Sequence, residues 1–274
     1  MKIIHRVTFN TKKHKKAKNM LLKCGIKLKE VPEVNICTFE VSEDDSLWPE
    51  VAEIIKTKDL NAIITRTEFT KKEILSADWV KVQPKCIKGY PMPDDDWRWK
   101  EVSFDLEKIC PTCGMGRKQI APIRLKGEPK IGKSSFMSIF WIFELFALPE
   151  VIVAMRNAGI TGFEELLPIH YKSLEEIKTV KQLRFTHELE GYIVDDNLKK
   201  TFPECGHNRY MGLSKGMYKY EKKVFKGMPD FVKSREWFGA RLQATQLLLA
   251  SSKFVELYYK NKWKGLSFSP VELV

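Results

Sequence analysis

The sequence predicts an α+β protein with two parts: an N-terminal ferredoxin-like domain over residues 1–90, and an internally duplicated α/β domain with a zinc knuckle over residues 105–274. Three observations predict this class. Hydrophobic residues make up 43% of the 274 residues and aromatic residues 11%, as in ordinary folded proteins. Strand and helix patterns alternate along the N-terminal part. One set of short motifs then occurs twice after residue 105.

The N-terminal part has the element order β-α-β-β-α-β of the ferredoxin-like split βαβ motif. Alternating apolar residues predict its strands, and apolar residues three to four positions apart predict its helices. The predicted elements are a strand over 2–9, a helix over 11–24, strands over 26–31 and 35–41, a helix over 46–57 and a strand over 62–69. A short helix over 70–76 and a strand over 79–82 follow. A Pro- and Asp-rich loop near residue 90 marks the predicted domain boundary.

The second part contains two related halves, at about 105–170 and 203–272. Each half has a Cys-Gly knuckle, a Lys-Gly-x-Pro turn and a helix followed by a strand. The first half reads PTCG, KGEPKIGKS and VIVAMRNAGITGFEELLP, and the second reads PECG, KGMPDFVKS and FVELYYKNKWKGLSFSP. At an offset of 100 residues, Lys133 and Ser134 align with Lys233 and Ser234. One helix and one strand cannot bury an apolar face alone, so the two halves are expected to pack together.

The formal charge of +12 is concentrated in the first 30 residues, which hold ten Lys and Arg against one acidic residue. Residues 31–110 hold eleven basic and seventeen acidic residues. The basic segment predicts an amphipathic helix with a solvated lysine face, which is common without a polyanionic partner. Nucleic-acid binding through Lys12, Lys13, Lys15 and Lys16 is the alternative function.

The sequence favours a cytoplasmic location. Neither the apolar core nor the small-residue cleavage site of a secretory signal follows Met1. The most apolar stretch, residues 136–155, contains Glu144, Pro149 and Glu150, and it predicts a pair of buried helices instead of a membrane span. Six cysteines without an export signal indicate a reducing compartment, where thiols and metal sites are expected and disulfides are not.

The strongest chemical motif is CPTCG, in which Cys110 and Cys113 flank two residues and the following glycine permits the left-handed backbone of a zinc knuckle. The second knuckle, FPECGH, aligns Cys205 with Cys113 and has Phe202 in the place of Cys110. His207 is the nearest candidate for a fourth ligand. We therefore predict a structural zinc site of Cys110, Cys113, Cys205 and His207. The alternatives are buried free thiols and a redox role for CPTC.

Residues 127–134, GEPKIGKS, match the Walker A pattern GxxxxGK[ST], which makes a P-loop nucleotide-binding protein the third candidate function. Lys133 would then reach the phosphates, Ser134 would hold Mg²⁺, and Asp195 or Asp196 would be the Walker B carboxylate. The context argues against this function, because the preceding IAPIRLK is not an apolar strand and the second copy of the motif lacks the phosphate-binding glycine.

Other polar and aromatic groups give weaker signals. The acidic run at 94–96 is expected to be a solvated loop, and neither His170 nor His187 has a partner at a catalytic or ligand spacing. The aromatic run from Phe136 to Phe146 lacks interleaved basic residues and is predicted to be core. No set of residues forms a catalytic centre, so the protein is predicted not to be an enzyme.

Several stretches of the second part carry a family resemblance: CPTCG, RLKGEPKIGK, AMRNAGITGFEELLPIH, the second PECG, DFVKSREWFG and SSKFVELYYKNKWKGLSFSPVELV. In these stretches, residues 105–274 resemble bacterial double-CXXCG motif proteins and the related immunity proteins of polymorphic toxins. The resemblance implies a cytoplasmic, non-enzymatic protein that neutralises a cognate toxin by occlusion and uses zinc structurally. FPECG departs from the second CxxCG of the family. Protein binding needs a few anchors that become buried in the interface, and these are expected among exposed aromatic residues of the second part and of the loop leading into it. The candidates are Trp97, Trp99 and Trp237.

Overall fold

The structure is a computed structural model that describes residues 1–194, 198, 200–201, 205–239 and 244–274. Within these ranges the protein is mixed α+β, with six α-helices and five sheets. The chain forms two compact units. The smaller unit consists of Met1–Thr70 and Leu213–Gly216, and the larger unit consists of Lys71–Gly212 and Met217–Val274.

The smaller unit is an antiparallel sheet with two helices. Its elements are, in chain order, β1 (Lys2–Asn10), α1 (Lys15–Lys23), β2 (Lys29–Val31), β3 (Ile36–Ser42), α2 (Trp48–Thr57) and β4 (Ala62–Glu68). The strands lie in the order β2-β3-β1-β4, and every neighbouring pair is antiparallel. The core forms because alternate strand residues point to the same face of the sheet and meet one face of each helix. It includes Val7, Phe9, Phe39 and Val41 from the strands, and Ala17, Leu21, Val51 and Ile54 from the helices.

The larger unit contains all the remaining helices and strands. They are α3 (Lys71–Leu75), β5 (Trp79–Pro84), α4 (Trp99–Ser103), β6 (Arg124–Leu125), β7 (Phe136–Ser138), β8 (Leu145–Ala147), α5 (Pro149–Asn157), β9 (Glu164–Leu166), β10 (Ile169–His170), β11 (Lys181–Arg184), β12 (Lys200–Thr201), β13 (Arg209–Tyr210), β14 (Lys219–Tyr220), β15 (Phe231–Phe238), β16 (Thr245–Ser251), α6 (Ser252–Lys260), β17 (Leu266–Pro270) and β18 (Glu272–Leu273).

The strands of the larger unit form two main sheets. One has the order β7-β8-β11-β9 and the other β12-β13-β15-β16-β5-β17, while β6 with β10 and β14 with β18 form short parallel pairs. Strand β5, which the sequence groups with the N-terminal domain, pairs with β16 and β17 of the larger unit. The compact units therefore divide at Thr70, upstream of the boundary drawn from the sequence near residue 90.

Two parts of the larger unit have the same local architecture. In the first ββαβ motif, the hairpin β7-β8 is followed by the nine-residue helix α5 and by β9, and β11 is inserted between β8 and β9. In the second ββαβ motif, the hairpin β15-β16 is followed by the nine-residue helix α6 and by β17, and β5 is inserted between β16 and β17. Each inserted strand is antiparallel to both of its neighbours.

The pairing registers of the two motifs match residue for residue. A one-residue slip would move every side chain of a strand to the opposite face, so matching registers also place equivalent residues on equivalent faces. In the hairpins, Phe136 pairs with Ala147 in the first motif and Phe231 pairs with Ala250 in the second. Between the hairpin and the inserted strand, Leu145 pairs with Leu183 in the first motif and Leu248 pairs with Val82 in the second. On the other side of the inserted strand, Leu183 pairs with Glu165 and Val82 pairs with Phe268.

The two motifs also contact each other reciprocally. Gly162 follows α5 and lies against Phe231 at the start of β15, and Gly265 follows α6 and lies against Phe136 at the start of β7. In each contact the N–H of the phenylalanine donates to the carbonyl oxygen of the residue before the glycine, at 3.2 and 3.0 Å respectively. The glycines have φ values of +90° and +108°, and a Cβ on either would lie 2.3 or 2.0 Å from the phenylalanine carbonyl oxygen. Glycine alone permits both this backbone and this approach.

The apolar stretch 136–155 does not form the pair of buried helices that its sequence predicts. It forms β7, β8 and α5, and the turn between the two strands has positive φ values at Trp141 and Phe143. Periodicity alone does not distinguish helix from strand in short apolar runs. Phe140 and Phe143 of the predicted core are 40% and 42% exposed. A membrane-crossing helix, which would have to be long and apolar throughout, is absent from the described part of the chain.

The sequence alignment of Lys133 and Ser134 with Lys233 and Ser234 is also wrong. The first pair lies in a turn before β7, whereas the second pair lies within β15. The registers above match β7 with β15 at an offset of 95 residues. The chain between the Lys-Gly-x-Pro turn and the following strand differs in length between the two motifs. An alignment of identical residues without a gap does not detect this difference.

Candidate metal centre

Cys110 and Cys113 lie at the tip of a loop of the larger unit. The chain leaves the body of the unit at Phe104 and returns at Gln119, and these two residues form an antiparallel bridge. At the tip, the N–H of Gly114 donates to the carbonyl oxygen of Cys110 at 2.8 Å. Gly114 has a φ of +72°, as the sequence predicts for a knuckle. The turn therefore holds both thiols on the same side of the loop.

Cys205 and His207 lie at the end of a second hairpin. Strands β12 and β13 pair antiparallel, and His207 lies two residues before the start of β13 at Arg209. Gly206 has a φ of +75°, so this knuckle also has a left-handed glycine after its cysteine. Phe202, which aligns with Cys110 in the sequence, lies outside the described residues.

The structure brings the four predicted ligands together. The three Sγ atoms and a ring nitrogen of His207 all lie within 4.8 Å of one another. The distance from Cys113 Sγ to His207 Nδ1 is 3.4 Å. Around a tetrahedral zinc ion, with Zn–S of about 2.3 Å and Zn–N of about 2.0–2.1 Å, ligand atoms are about 3.6–3.8 Å apart. The donor set therefore fits zinc after small side-chain movements.

Burial and hydrogen bonding shift two of the thiols in opposite directions. Cys113 is fully buried, and burial raises the pKa of its thiol to about 12. Burial also opposes ionisation of Cys110, but the backbone N–H groups of Cys113 and Thr112 and the neighbouring thiols stabilise its thiolate and lower its pKa to about 6. The thiolate form is therefore favoured at Cys110 and disfavoured at Cys113. Binding of a metal would release protons from the remaining thiols.

The cluster has the composition of a structural site. Four protein ligands complete a tetrahedron, whereas catalytic zinc sites keep a position open for water or substrate. Within the described ranges, no second group of three or more Cys, His, Asp or Glu side chains is arranged to hold a metal ion. The other cysteines lie elsewhere: Cys24 donates to Glu50 Oε1 at 2.9 Å, and Cys37 is buried in the core of the smaller unit.

The Walker-like stretch does not have the geometry of a P-loop. A P-loop places its last residues at the N-terminus of a helix, whose N–H groups bind phosphate. Here the two-residue strand β6 precedes the stretch, and strand β7 follows Ser134. Asp195 and Asp196, the candidates for the Walker B carboxylate, lie outside the described residues.

The remaining candidates occupy ordinary structural positions. Asp94, Asp95 and Asp96 are exposed, and Asp95 pairs with Arg98 at 3.2 Å. His170 Nδ1 accepts the N–H of Ser173 at 3.1 Å, which closes a turn. His187 is exposed beside Thr186. These residues are not brought together.

The candidate interface residues differ in exposure. Trp99 is fully buried, so its selection as an exposed anchor is wrong, because it packs against Phe104 in the core of the larger unit. Trp97 and Trp237 are half-buried. Four lysines just before or at the start of α1 are exposed to solvent: Lys12, Lys13, Lys15 and Lys16.

Sequence reasoning missed a charged cluster at a cavity of the larger unit. Glu144, Arg117 and Lys233 line this cavity, which has a volume of about 580 Å³. Burial raises the pKa of Glu144, and attraction to Arg117 and Lys233 opposes the shift. Burial lowers the pKa of Arg117, which Glu144 opposes. The signal available in the sequence was a carboxylate within the apolar run WIFELFA.

Comparison with known proteins supplies no family for this site: no protein-family model and no curated protein matches the sequence. The resemblance to double-CXXCG and immunity proteins stays a prediction. The metal centre therefore rests on the positions and chemistry of its own four side chains.

Proposed function

We propose that the protein is a non-catalytic, cytoplasmic binding protein whose larger unit is stabilised by one structural zinc ion. The observation that carries the proposal is the convergence of Cys110, Cys113, Cys205 and His207 within 4.8 Å. Cys113 and His207 are 94 residues apart along the chain, so a shared ion would connect distant segments. The free energy of zinc binding would then become folding free energy. Three reduced thiols suit a reducing compartment.

Metal analysis of protein purified under reducing conditions tests the zinc site. We expect about one zinc per chain, since structural sites are four-coordinate. Cys113→Ser should release the metal. Cys86→Ser is the matched control, because Cys86 is a half-buried cysteine outside the cluster, and it should keep the metal. Reduced wild-type protein without zinc would refute the site, whereas full loading of His207→Ala would refute only the fourth ligand.

We also infer that the smaller unit is ferredoxin-like. Support comes from its β-α-β-β-α-β element order and its sheet order β2-β3-β1-β4, in which every pair is antiparallel. These are the connections of the split βαβ motif. The fold hosts many functions and therefore does not identify one.

The larger unit is, in the same proposal, an internal duplication with exchanged strands. Strand β5 precedes the first ββαβ motif in the chain but completes the sheet of the second, and β11 precedes the second motif but completes the sheet of the first. The repeats therefore extend from β5 to β9 and from β11 to β17, each with one Cys-Gly knuckle after its first strand. The matched registers and the reciprocal glycine contacts support this assignment.

The partner that we propose is a protein toxin, neutralised by occlusion. This part rests on the resemblance of residues 105–274 to immunity proteins. A cluster of four protein ligands, which is the composition of a structural metal site, agrees with a non-catalytic protein but does not itself indicate the partner. Such an interface buries about 1,200–2,000 Å² and depends on a few aromatic anchors. Of the predicted anchors, Trp97 and Trp237 have part of their surface available.

Co-expression with each neighbouring gene product tests this function. We expect that one neighbouring gene product inhibits growth and that the wild-type chain rescues growth. The complex of the two proteins should persist at physiological salt. If no neighbour is toxic, the neutralisation proposal fails while the zinc site stands or falls by its own assay.

Nucleic-acid binding by the smaller unit is the second candidate. The exposed lysines at the start of α1 favour it, since phosphate contacts dominate such binding. The face of β1 opposite the helices argues against it, because Arg6 and Thr8 there provide no aromatic ring for base stacking. If the protein binds nucleic acid in this way, the logarithm of its binding constant should fall linearly with the logarithm of the salt concentration. Replacing Lys12, Lys13, Lys15 and Lys16 by Gln should then abolish it.

A further inference from the structure

A group of aromatic side chains, two exposed and two half-buried, lies on the surface of the larger unit. The ring of Tyr90, 42% exposed, stacks on that of Phe140, 40% exposed, with centroids 5.0 Å apart. Tyr90 also lies 4.6 Å from Trp141, which in turn lies 4.6 Å from Trp97. We call these four residues the aromatic platform. Contiguous exposed apolar groups of this kind mark binding surfaces.

The backbone of the platform is strained. Trp97 and Trp141 have φ values of +61° and +73°, a region that bulky L-residues rarely adopt. Such strain is retained mainly where a site needs a particular side-chain position. The N–H of Phe140 donates to the carbonyl oxygen of Gly89 at 3.0 Å, which ties the platform to the segment that carries Tyr90.

A cavity of about 540 Å³ opens beside Tyr90. Three lysines, Lys88, Lys126 and Lys130, line it. Lys88 Nζ donates to the carbonyl oxygen of Lys130 at 2.8 Å, so the two segments that carry these lysines are held together. Lys126 directly precedes the Walker-like stretch and Lys130 lies within it, and the proposed function assigns neither lysine a role.

The positive charge of the cavity exceeds its negative charge. Asp94 and Glu128 are the acidic residues that line it, against three lysines. The carboxylate of Glu128 accepts a hydrogen bond from the hydroxyl of Thr179, so part of its accepting capacity is already used. An anionic group is therefore favoured over a cationic one.

We propose that this cavity binds a small ligand with a planar aromatic ring and a phosphate group, of the nucleoside monophosphate class. Lysines bind phosphate as point charges, and an exposed aromatic ring stacks on any nucleobase because every base has a π-face. The cavity volume lies within the range of about 300–1,000 Å³ that is usual for small-molecule sites. In this proposal the lysine side chains of the cavity wall hold the phosphate. Lys133 does not line the cavity, so it has no role in binding the ligand.

Calorimetric titration of the full-length protein at low salt tests the proposal, with AMP, adenosine and inorganic phosphate as probes. AMP should bind more tightly than either of its halves. Tyr90→Ala should weaken AMP binding roughly 5- to 150-fold, the range measured when a stacking ring is removed, and Tyr90→Phe should restore it. The double variant Lys126→Gln and Lys130→Gln should weaken AMP binding and leave adenosine binding unchanged. Lys133→Gln, an exposed lysine of the same stretch, is the matched control and should have no effect.

Three results would overturn the proposal: no AMP binding at millimolar concentration, binding that is indifferent to Tyr90, or an equal loss with Lys133→Gln. Binding of a short single-stranded oligonucleotide that depends on Tyr90, without AMP binding, would also overturn it in favour of an extended strand. None of these outcomes depends on the zinc content or on toxin neutralisation.

Discussion

The reciprocal contacts of Gly162 and Gly265 provide the sharpest test of how the larger unit is built. Both glycines lie against the first residue of a strand that belongs to the other ββαβ motif. Both strands begin with a phenylalanine that is 1% exposed, so each contact involves a buried residue. Substituting alanine at either position should therefore disturb the packing of one motif on the other.

The cost follows from two terms. A left-handed backbone costs an L-residue about 1–2 kcal/mol. The added Cβ would lie 2.3 or 2.0 Å from a carbonyl oxygen, so the strand has to move away, and the adjacent N–H···O bond is weakened at a cost of about 0.5–1.5 kcal/mol. With some loss of phenylalanine packing, each variant should be destabilised by about 2–4 kcal/mol. In a chain of this size each kcal/mol lowers Tm by about 2–4 °C.

Urea denaturation followed by circular dichroism measures these differences. Gly227→Ala is the matched control, because Gly227 has a φ of +76° but no heavy atom within 4 Å of the position that a Cβ would take, so it carries the backbone term alone. We expect Gly162→Ala and Gly265→Ala to be destabilised equally, within about 1 kcal/mol, and more than the control. Equal values for all three variants would refute the close approach. A large effect at only one of the two would refute the equivalence of the motifs.

Three further predictions use other parts of the molecule. Glu236 is 3% exposed, and burial raises the pKa of its carboxyl in the folded protein above the ordinary 4.5. Because the unfolded chain loses this proton at a lower pH than the folded protein does, the contribution of Glu236 to stability is greatest below pH 4.5 and falls as the pH rises towards the raised pKa. Glu236→Gln should flatten this fall in urea midpoints measured upward from pH 4.5. A zinc chelator should lower the Tm of the wild type and leave Cys113→Ser unchanged, because bound metal contributes to folding. Lys133→Ala should cost under about 0.5 kcal/mol, because Lys133 is exposed. Lys233→Ala should cost more, because Lys233 is half-buried and attracts the half-buried carboxyl of Glu144; equal costs would revive the rejected alignment.

The elements of the smaller unit were predictable because their signals are local. Strands predicted over 2–9, 35–41 and 62–69 appear as β1, β3 and β4, and no boundary differs by more than one residue. Alternation along a half-buried strand is a property of consecutive residues, so a single sequence contains it. Each knuckle of the metal cluster is also a local signal, since it consists of one or two cysteines and a following glycine. Their convergence is not local, because Cys113 and His207 are 94 residues apart, and it was predicted only because the motif occurs twice in the sequence.

Pairing between distant segments could not be predicted in the same way. Strand β5 lies far from β16 in the sequence, and its residues carry no signal that identifies β16 as its pairing partner. The aromatic residues of 136–146 illustrate a second limit, because burial depends on which face a turn presents and not on apolar character alone. The positive φ values at Trp141 and Phe143 expose side chains that hydrophobicity assigns to the core.

The zinc proposal and the strand exchange support one another through their geometry. If the repeats extend from β5 to β9 and from β11 to β17, Cys110 and Cys113 come from one repeat, and Cys205 and His207 come from the other. Each repeat would then give two ligands to the metal and one strand to the sheet of its neighbour. Neither repeat could separate without losing ligands, strand pairing and glycine contacts at the same time. In this proposal His207 would supply the fourth donor beside Cys205, because a site with three ligands would leave a tetrahedral structural ion incomplete.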